Sequence, residues 1–143
     1  MRREADTAFV TLSNPGKLNA MDVAMWRALE QTFAMLSNDQ SLRCVVLSGA
    51  DANFAAGADI AEFSTVRSNI AQGISYHQHL IANALEAIAG CLHPTVAAIE
   101  GVCVGGGLEI ACACDVRKAL SMRRRNSMSL GKTRHRNSTG YRM

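Results

Sequence analysis

The chain has 143 residues, 48% of them hydrophobic, which suffices for one modest globular domain and not for two. Its net charge of +3 conceals two compositions: residues 1–116 carry six Lys or Arg against twelve Asp or Glu, whereas residues 117–143 carry nine Lys or Arg and no acid. No apolar run approaches membrane-spanning length, and the opening Met1-Arg2-Arg3-Glu4-Ala5-Asp6 is too acidic for a signal or transit peptide, so a soluble, cytoplasmic protein is expected.

Phe9 to Leu12 is a short β-prone run closed by the turn residues Ser13-Asn14-Pro15-Gly16. Val23, Trp26, Leu29, Phe33 and Leu36 recur every three or four residues and predict a helix with Asp22 as its N-cap. Cys44 to Leu47 is a continuous apolar run of the kind buried on both faces of a sheet. A Gly- and Ala-rich loop from Gly49 to Asp59 leads into Ile60. Ile70, Ile74, His77, Ile81, Leu85 and Ile88 then mark one face of a long helix ending near Gly90. Thr95 to Ile99 is a further buried strand, Gly101 to Gly107 a second glycine-rich turn, and Leu108 to Cys114 a short, closely packed helix. This alternation of strand and helix predicts an α/β fold with parallel pairing, in which the strand around Ala97 lies at the edge. After Leu120 the periodicity stops, and Ser121 to Met143 reads as disordered.

The five cysteines, Cys44, Cys91, Cys103, Cys112 and Cys114, show no metal-ligand spacing and are expected as free thiols, with Cys112 and Cys114 in the core. His77 and His79 stand two apart on a helix and so point to different faces, which argues against a shared metal. Glu62 and Glu86 read as solvated carboxylates on helix faces.

The informative segments are Asn53-Phe-Ala-Ala-Gly-Ala-Asp-Ile60 and Gly101-Val-Cys-Val-Gly-Gly-Gly-Leu-Glu109. Each places small residues between a buried strand and the first turn of a helix, where backbone N–H groups lack intrahelical partners. Two such loops side by side could aim two N–H donors at one oxygen and form an oxyanion hole. The same pattern also serves phosphate binding or mere close packing, and spacing alone leaves these open. The second loop has neither the Lys-Ser/Thr ending of a P-loop nor the glycine register of a dinucleotide fold.

Phe54 to Glu62 resembles the F-x-A-G-A-D-I-x-E signature of the enoyl-CoA hydratase/isomerase (crotonase) superfamily, and Gly101 to Glu109, running on to Arg117, resembles its second signature. Pro15 with Leu18-Asn19-Ala20-Met21, and His93-Pro94-Thr95-Val96-Ala97-Ala98, resemble two shorter family stretches, so the likeness covers about residues 6–118 in order. It implies an α/β, crotonase-like (ClpP/crotonase) fold built from repeated strand-strand-helix units, with residues 1–118 forming its N-terminal part and 119–143 a basic, disordered tail outside it. It further implies that the N–H groups of Ala58 and Gly106 form an oxyanion hole for an acyl-CoA thioester, with Glu109 as the catalytic carboxylate. Ala56, Gly57, Asp59, Ile60 and Gly105 would line the substrate. Asp59 reads as a cap for the helix that follows Ala58 rather than as a proton-transfer group. The implied reaction is water addition to, or double-bond migration in, an enoyl-CoA, with coenzyme A entering as substrate and no bound cofactor or metal.

Two features depart from the family pattern. Hydratases of the superfamily carry a second catalytic Glu about twenty residues beyond the first, where this chain has Ser129, and no Asp or Glu follows Asp115. The change of composition reads as a truncation or reading-frame shift near Lys118 to Met122, before the C-terminal helices through which family members close the acyl pocket and assemble as trimers or hexamers. The alternative reading is an inactive remnant whose basic tail binds anionic partners nonspecifically. With Tyr141 its only aromatic, that tail is not expected to recognise nucleic acid.

Overall fold

The computed structural model describes residues 1–62 and 69–120. The elements in chain order are β1 (Arg2–Glu4), β2 (Thr7–Leu12), α1 (Val23–Ser37), β3 (Cys44–Gly49), a 3-10 turn (Ile60–Glu62), α2 (Ile70–Ser75), a π-helical segment (Tyr76–Ile81), α3 (Ala82–Ala89), β4 (Thr95–Ile99), α4 (Gly106–Ala113) and β5 (Val116–Ala119). The strands form one sheet in sequence order, with β1 antiparallel to β2 and every later pairing parallel. Parallel neighbours need a crossover between them, and α1, the helices from Ile70 to Ala89, and α4 supply the three crossovers.

Register aligns Ala8, Val45 and Thr95 in one row and Val10, Leu47 and Ala97 in the next. All six are buried, and with Trp26, Leu29, Phe33 and Leu36 of α1 and Ile88 of α3 they form the core. The helical period read from α1 thus matches its buried face. Asp22 caps that helix as expected, accepting the Met25 N–H at 2.7 Å.

Several expectations are corrected. Cys44 and Val46 are half-exposed, so β3 is fully buried on one face only. Ala97 is interior, because Val116–Ala119 pairs with β4 as the outermost strand, across the break in composition. Glu62 is not a free surface carboxylate: it accepts the Val23 N–H at 2.8 Å and so supplies a second cap to α1. Cys112 is exposed, and of the five free cysteines only Cys114 is buried, its thiol pushed up to about 11 by burial. Ile70 and Ile74 stand in solvent, 83% and 49% exposed. The expected disorder of residues 121–143 lies outside the described residues.

The β4 and β5 ends are locked by a reciprocal clamp. The Thr95 N–H and hydroxyl both donate to Asp115 Oδ2, at 2.8 and 2.9 Å, and the Asp115 N–H donates to Thr95 Oγ1 at 2.9 Å. Arg117 then covers the end of α4, donating to the carbonyls of Cys112 and Cys114. The Thr95 N–H, then its hydroxyl, hold the Asp115 carboxyl below its ordinary value of 3.8. A depressed carboxyl stabilises the fold above that ordinary value and loses its contribution as pH falls through the lower, folded value. Thr95→Val is expected to lower unfolding free energy by about 1–3 kcal/mol at neutral pH, since Thr95 is buried and its partners lose a bond each. Urea titration measures this, and the deficit should shrink in acid.

Candidate active site

Ligands of open parallel sheets bind beyond the carboxyl ends of the strands, and here the loops after β2, β3 and β4 meet. Three asparagines tie them together. The Asn14 N–H donates to Asn19 Oδ1 at 3.1 Å, and Asn14 Nδ2 to the Ala20 carbonyl at 2.7 Å. Asn19 Nδ2 donates to the carbonyls of Ala50 and Asn53, at 2.8 and 2.9 Å. Asn53 Oδ1 accepts the Val102 N–H at 3.1 Å. Asn19 is only 3% exposed and sits at φ 57°, a left-handed conformation that Asn adopts more readily than most residues.

Two short parallel bridges extend this junction. Met21 donates to the Gly57 carbonyl at 2.7 Å and accepts the Asp59 N–H at 2.9 Å. These bonds straddle Ala58, so Ala58's own N–H faces away from Met21. Ala55 pairs likewise with Cys103, donating to the Val102 carbonyl at 3.0 Å and accepting the Val104 N–H at 3.1 Å. The two glycine loops therefore run side by side and touch at Gly57 and Gly105–Gly106. A Cβ on Gly105 would lie 3.6 Å from Gly57 Cα, and one on Gly106 would lie 3.0 Å from Trp26 Cζ2. One on Gly107 would meet the Ala55 carbonyl oxygen at 2.4 Å, so this glycine is there for packing.

Among the described residues, the N–H groups of Ala58 and Gly106 have no hydrogen-bond partner. Gly106 opens α4, and its N-cap Gly105 offers no side chain to the first turn. Two open donors thus adjoin one backbone contact, an arrangement able to hold an oxygen that gains negative charge. Ala56 is different: its N–H is taken by the Leu18 carbonyl at 3.0 Å. Glu109 lies in the first turn of α4, exposed, with its N–H bonded to the Gly105 carbonyl at 3.0 Å.

Asp59, next to Ala58, is buried and occupied. Lys17 Nζ donates to Oδ2 at 2.5 Å, and the Ala61 N–H donates to Oδ1 at 3.1 Å. These bonds, Lys17 first, hold its carboxyl below the ordinary range. Asp59 therefore caps the 3-10 turn, one of the two roles open to it in the sequence. Ile60 projects into solvent, 76% exposed. Lys17 and the asparagine ties escaped the sequence reading, which took Trp26 only as part of an apolar helix face and Asn19 only as part of a motif. Both His77 and His79 are exposed, and no group of three or more His, Cys, Asp or Glu among the described residues could hold a metal.

The parallel sheet, its crossover helices and the paired loops are those of the crotonase fold. The solved enoyl-CoA hydratase/carnithine racemase from Magnetospirillum magneticum superposes with a TM-score of 0.77 at 46% identity, over 80% of this chain and 43% of that one. The family profile for Enoyl-CoA hydratase/isomerase matches residues 2–130, and the chain belongs to that family. It is 36% identical over 116 residues to the mitochondrial Delta(3,5)-Delta(2,4)-dienoyl-CoA isomerase of Rattus norvegicus, over 76% of this chain and 36% of that protein. It is 37% identical over 119 residues to the fatty acid oxidation complex subunit alpha of Shewanella baltica, over 81% of this chain and 16% of that protein. The chain thus spans well under half the length of these relatives.

Gly105 has φ 51° and ψ −124°, a combination suited to glycine alone. Gly105→Ala is expected to cost about 1–3 kcal/mol of stability. Gly73→Ala, inside α2 with open space around it, is expected to add about 0.5–1 kcal/mol. Thermal unfolding of the two variants checks the contrast.

Proposed function

We propose that this chain binds an enoyl-CoA thioester with its carbonyl oxygen between the N–H groups of Ala58 and Gly106. The observation that carries the reading is that these two open donors flank the contact between the glycine loops. Hydrogen bonds to the thioester oxygen draw electrons from the conjugated system, so C3 becomes electrophilic and the enolate formed by addition there, which takes a proton at C2, is stabilised. Glu109, three residues into the helix that Gly106 begins, is the carboxylate that handles the proton. In hydration it accepts a proton from water as oxygen bonds to C3, and it passes that proton on to C2, so that H and OH of one water add across the double bond. In double-bond migration it takes a proton from one carbon and returns it to another. The backbone from Ala56 to Asp59, with Ile60 and Gly105, lies along the coenzyme A portion and the thioester. Coenzyme A enters as substrate, and the reaction calls for no resident cofactor.

Family membership and the placement of both signature loops support this reading. The direct test is turnover of crotonyl-CoA by the purified chain, followed by loss of the enoyl-thioester absorbance. Glu109→Gln is expected to slow turnover by about 10²–10⁴-fold with binding retained. Equal rates in the two proteins would remove Glu109 from the chemistry, and failure of the folded chain to bind the thioester would remove the whole reading.

A further inference from the structure

The loop after β2 grips the first glycine loop at Ala56, Gly57 and Asp59, and leaves the Ala58 N–H without a partner among the described residues. The Ala56 N–H goes to the Leu18 carbonyl at 3.0 Å. The Met21 N–H donates to the Gly57 carbonyl, and the Met21 carbonyl accepts the Asp59 N–H. These three bonds join neutral main-chain groups. The fourth is the ion pair of Lys17 Nζ with the Asp59 carboxylate, and a charged bond is roughly twice as strong as a neutral one. The residues that follow Lys17 are strained. Leu18 and Asn19 have φ 49° and 57°, a left-handed conformation that is unfavourable for Leu. Strain of this kind persists only where the surroundings fix it, and it collects at functional sites.

The two partners of the ion pair differ in exposure. The Lys17 side chain is 48% exposed and that of Asp59 8%. A half-exposed lysine in an ion pair adds little to the stability of a fold. A buried carboxylate deprived of its cation is a different matter, because the charge then gains by moving toward water. Asp59 directly follows Ala58, so such a displacement is transmitted to Ala58. Asp22 and Glu62, the two caps of α1, also lie within electrostatic reach of Lys17. The bond to Asp59 first, and then the charges of Asp59, Asp22 and Glu62, hold the ammonium above its ordinary value of 10.5. The Asp59 carboxyl is held below its own ordinary value, so both partners are charged at neutral pH.

We propose that Lys17 is a positioning residue for the thioester site, its ion pair with Asp59 setting the Ala58 N–H against the oxygen that Gly106 also holds. The proposal rests on the thioester reading above. Lys17 touches no part of the thioester and acts through Asp59.

The test compares the full 143-residue chain with Lys17→Met, Lys17→Arg and Asp59→Asn, each titrated calorimetrically with crotonyl-CoA and with free coenzyme A. Lys17→Met is expected to bind crotonyl-CoA about fivefold more weakly, as for one lost hydrogen bond, and free coenzyme A as the wild type does. In isotope-labelled protein, the downfield shift of the Ala58 amide on thioester binding should shrink in this variant while that of Gly106 persists. Lys17→Arg should restore both properties. Asp59→Asn removes the charge, keeps an acceptor for the Ala61 N–H, and should repeat the loss; it decides alone if Lys17→Met does not fold. Unchanged thioester affinity and Ala58 shift in the folded variants overturn the assignment. Equal weakening of both ligands makes Lys17 a direct coenzyme A contact and overturns it as well. Either result leaves the thioester reading standing. A wild-type chain that is folded by circular dichroism and binds no crotonyl-CoA removes that reading and this one with it.

Discussion

Two stretches of main chain touch where Gly57 meets Gly105 and Gly106, with no side chain between them, and the organisation of the site follows from that contact. Backbones approach this closely only where Cβ atoms are absent on the facing residues. The approach leaves the N–H groups of Ala58 and Gly106 unpaired by any described residue, although a buried or half-buried donor ordinarily finds a partner. An unsatisfied donor costs stability. The fold sustains two at one place because the surrounding bonds hold both loops in position without them.

Those bonds come from three directions. The asparagine ties join the loops after β2, β3 and β4, so the second glycine loop cannot shift without disturbing the first. The bridges at Met21 and Ala55 hold the loops as short parallel strands, which fixes the direction of each N–H. From beneath, α1 contributes Trp26, fully buried with its ring edge against Gly106. The same helix is capped by Asp22 and by Glu62, the latter from the 3-10 turn that directly follows the Ala58 loop. Core packing and site geometry are thus one set of contacts.

The sequence made the main elements legible where the pattern was periodic. The spacing from Val23 to Leu36 fixes the buried face of α1, and Thr95 to Ile99 has the bounds of β4. The glycine loops were legible as ligand candidates through their resemblance to the two family signatures, because small residues between strand and helix also serve close packing, as Gly107 does. What escaped were features that depend on partners distant in the chain. Nothing local announces that Glu62 reaches the Val23 N–H, or that Lys17 neutralises Asp59. β1 and β5 are short, exposed strands whose pairing with a neighbour, and not their own hydrophobicity, makes them strands. Ile70 and Ile74 misled for the opposite reason. Their period suggested one buried face along the whole helix, but only Ile81 and Ile88 of that face are buried, and Ile70 and Ile74 stay in solvent. A π-helical segment lies between the two halves, and its wider turn breaks the phase of a single helical period.

The central claim is that the N–H groups of Ala58 and Gly106 act as a pair on one oxygen. The most direct measurement is the amide spectrum of an isotope-labelled chain titrated with crotonyl-CoA. The two amide protons should move downfield together and saturate at the same thioester concentration, while the Gly73 amide in α2 stays near its starting position. Thioester binding that leaves both amides unmoved, or shifts only one of them, would contradict the claim.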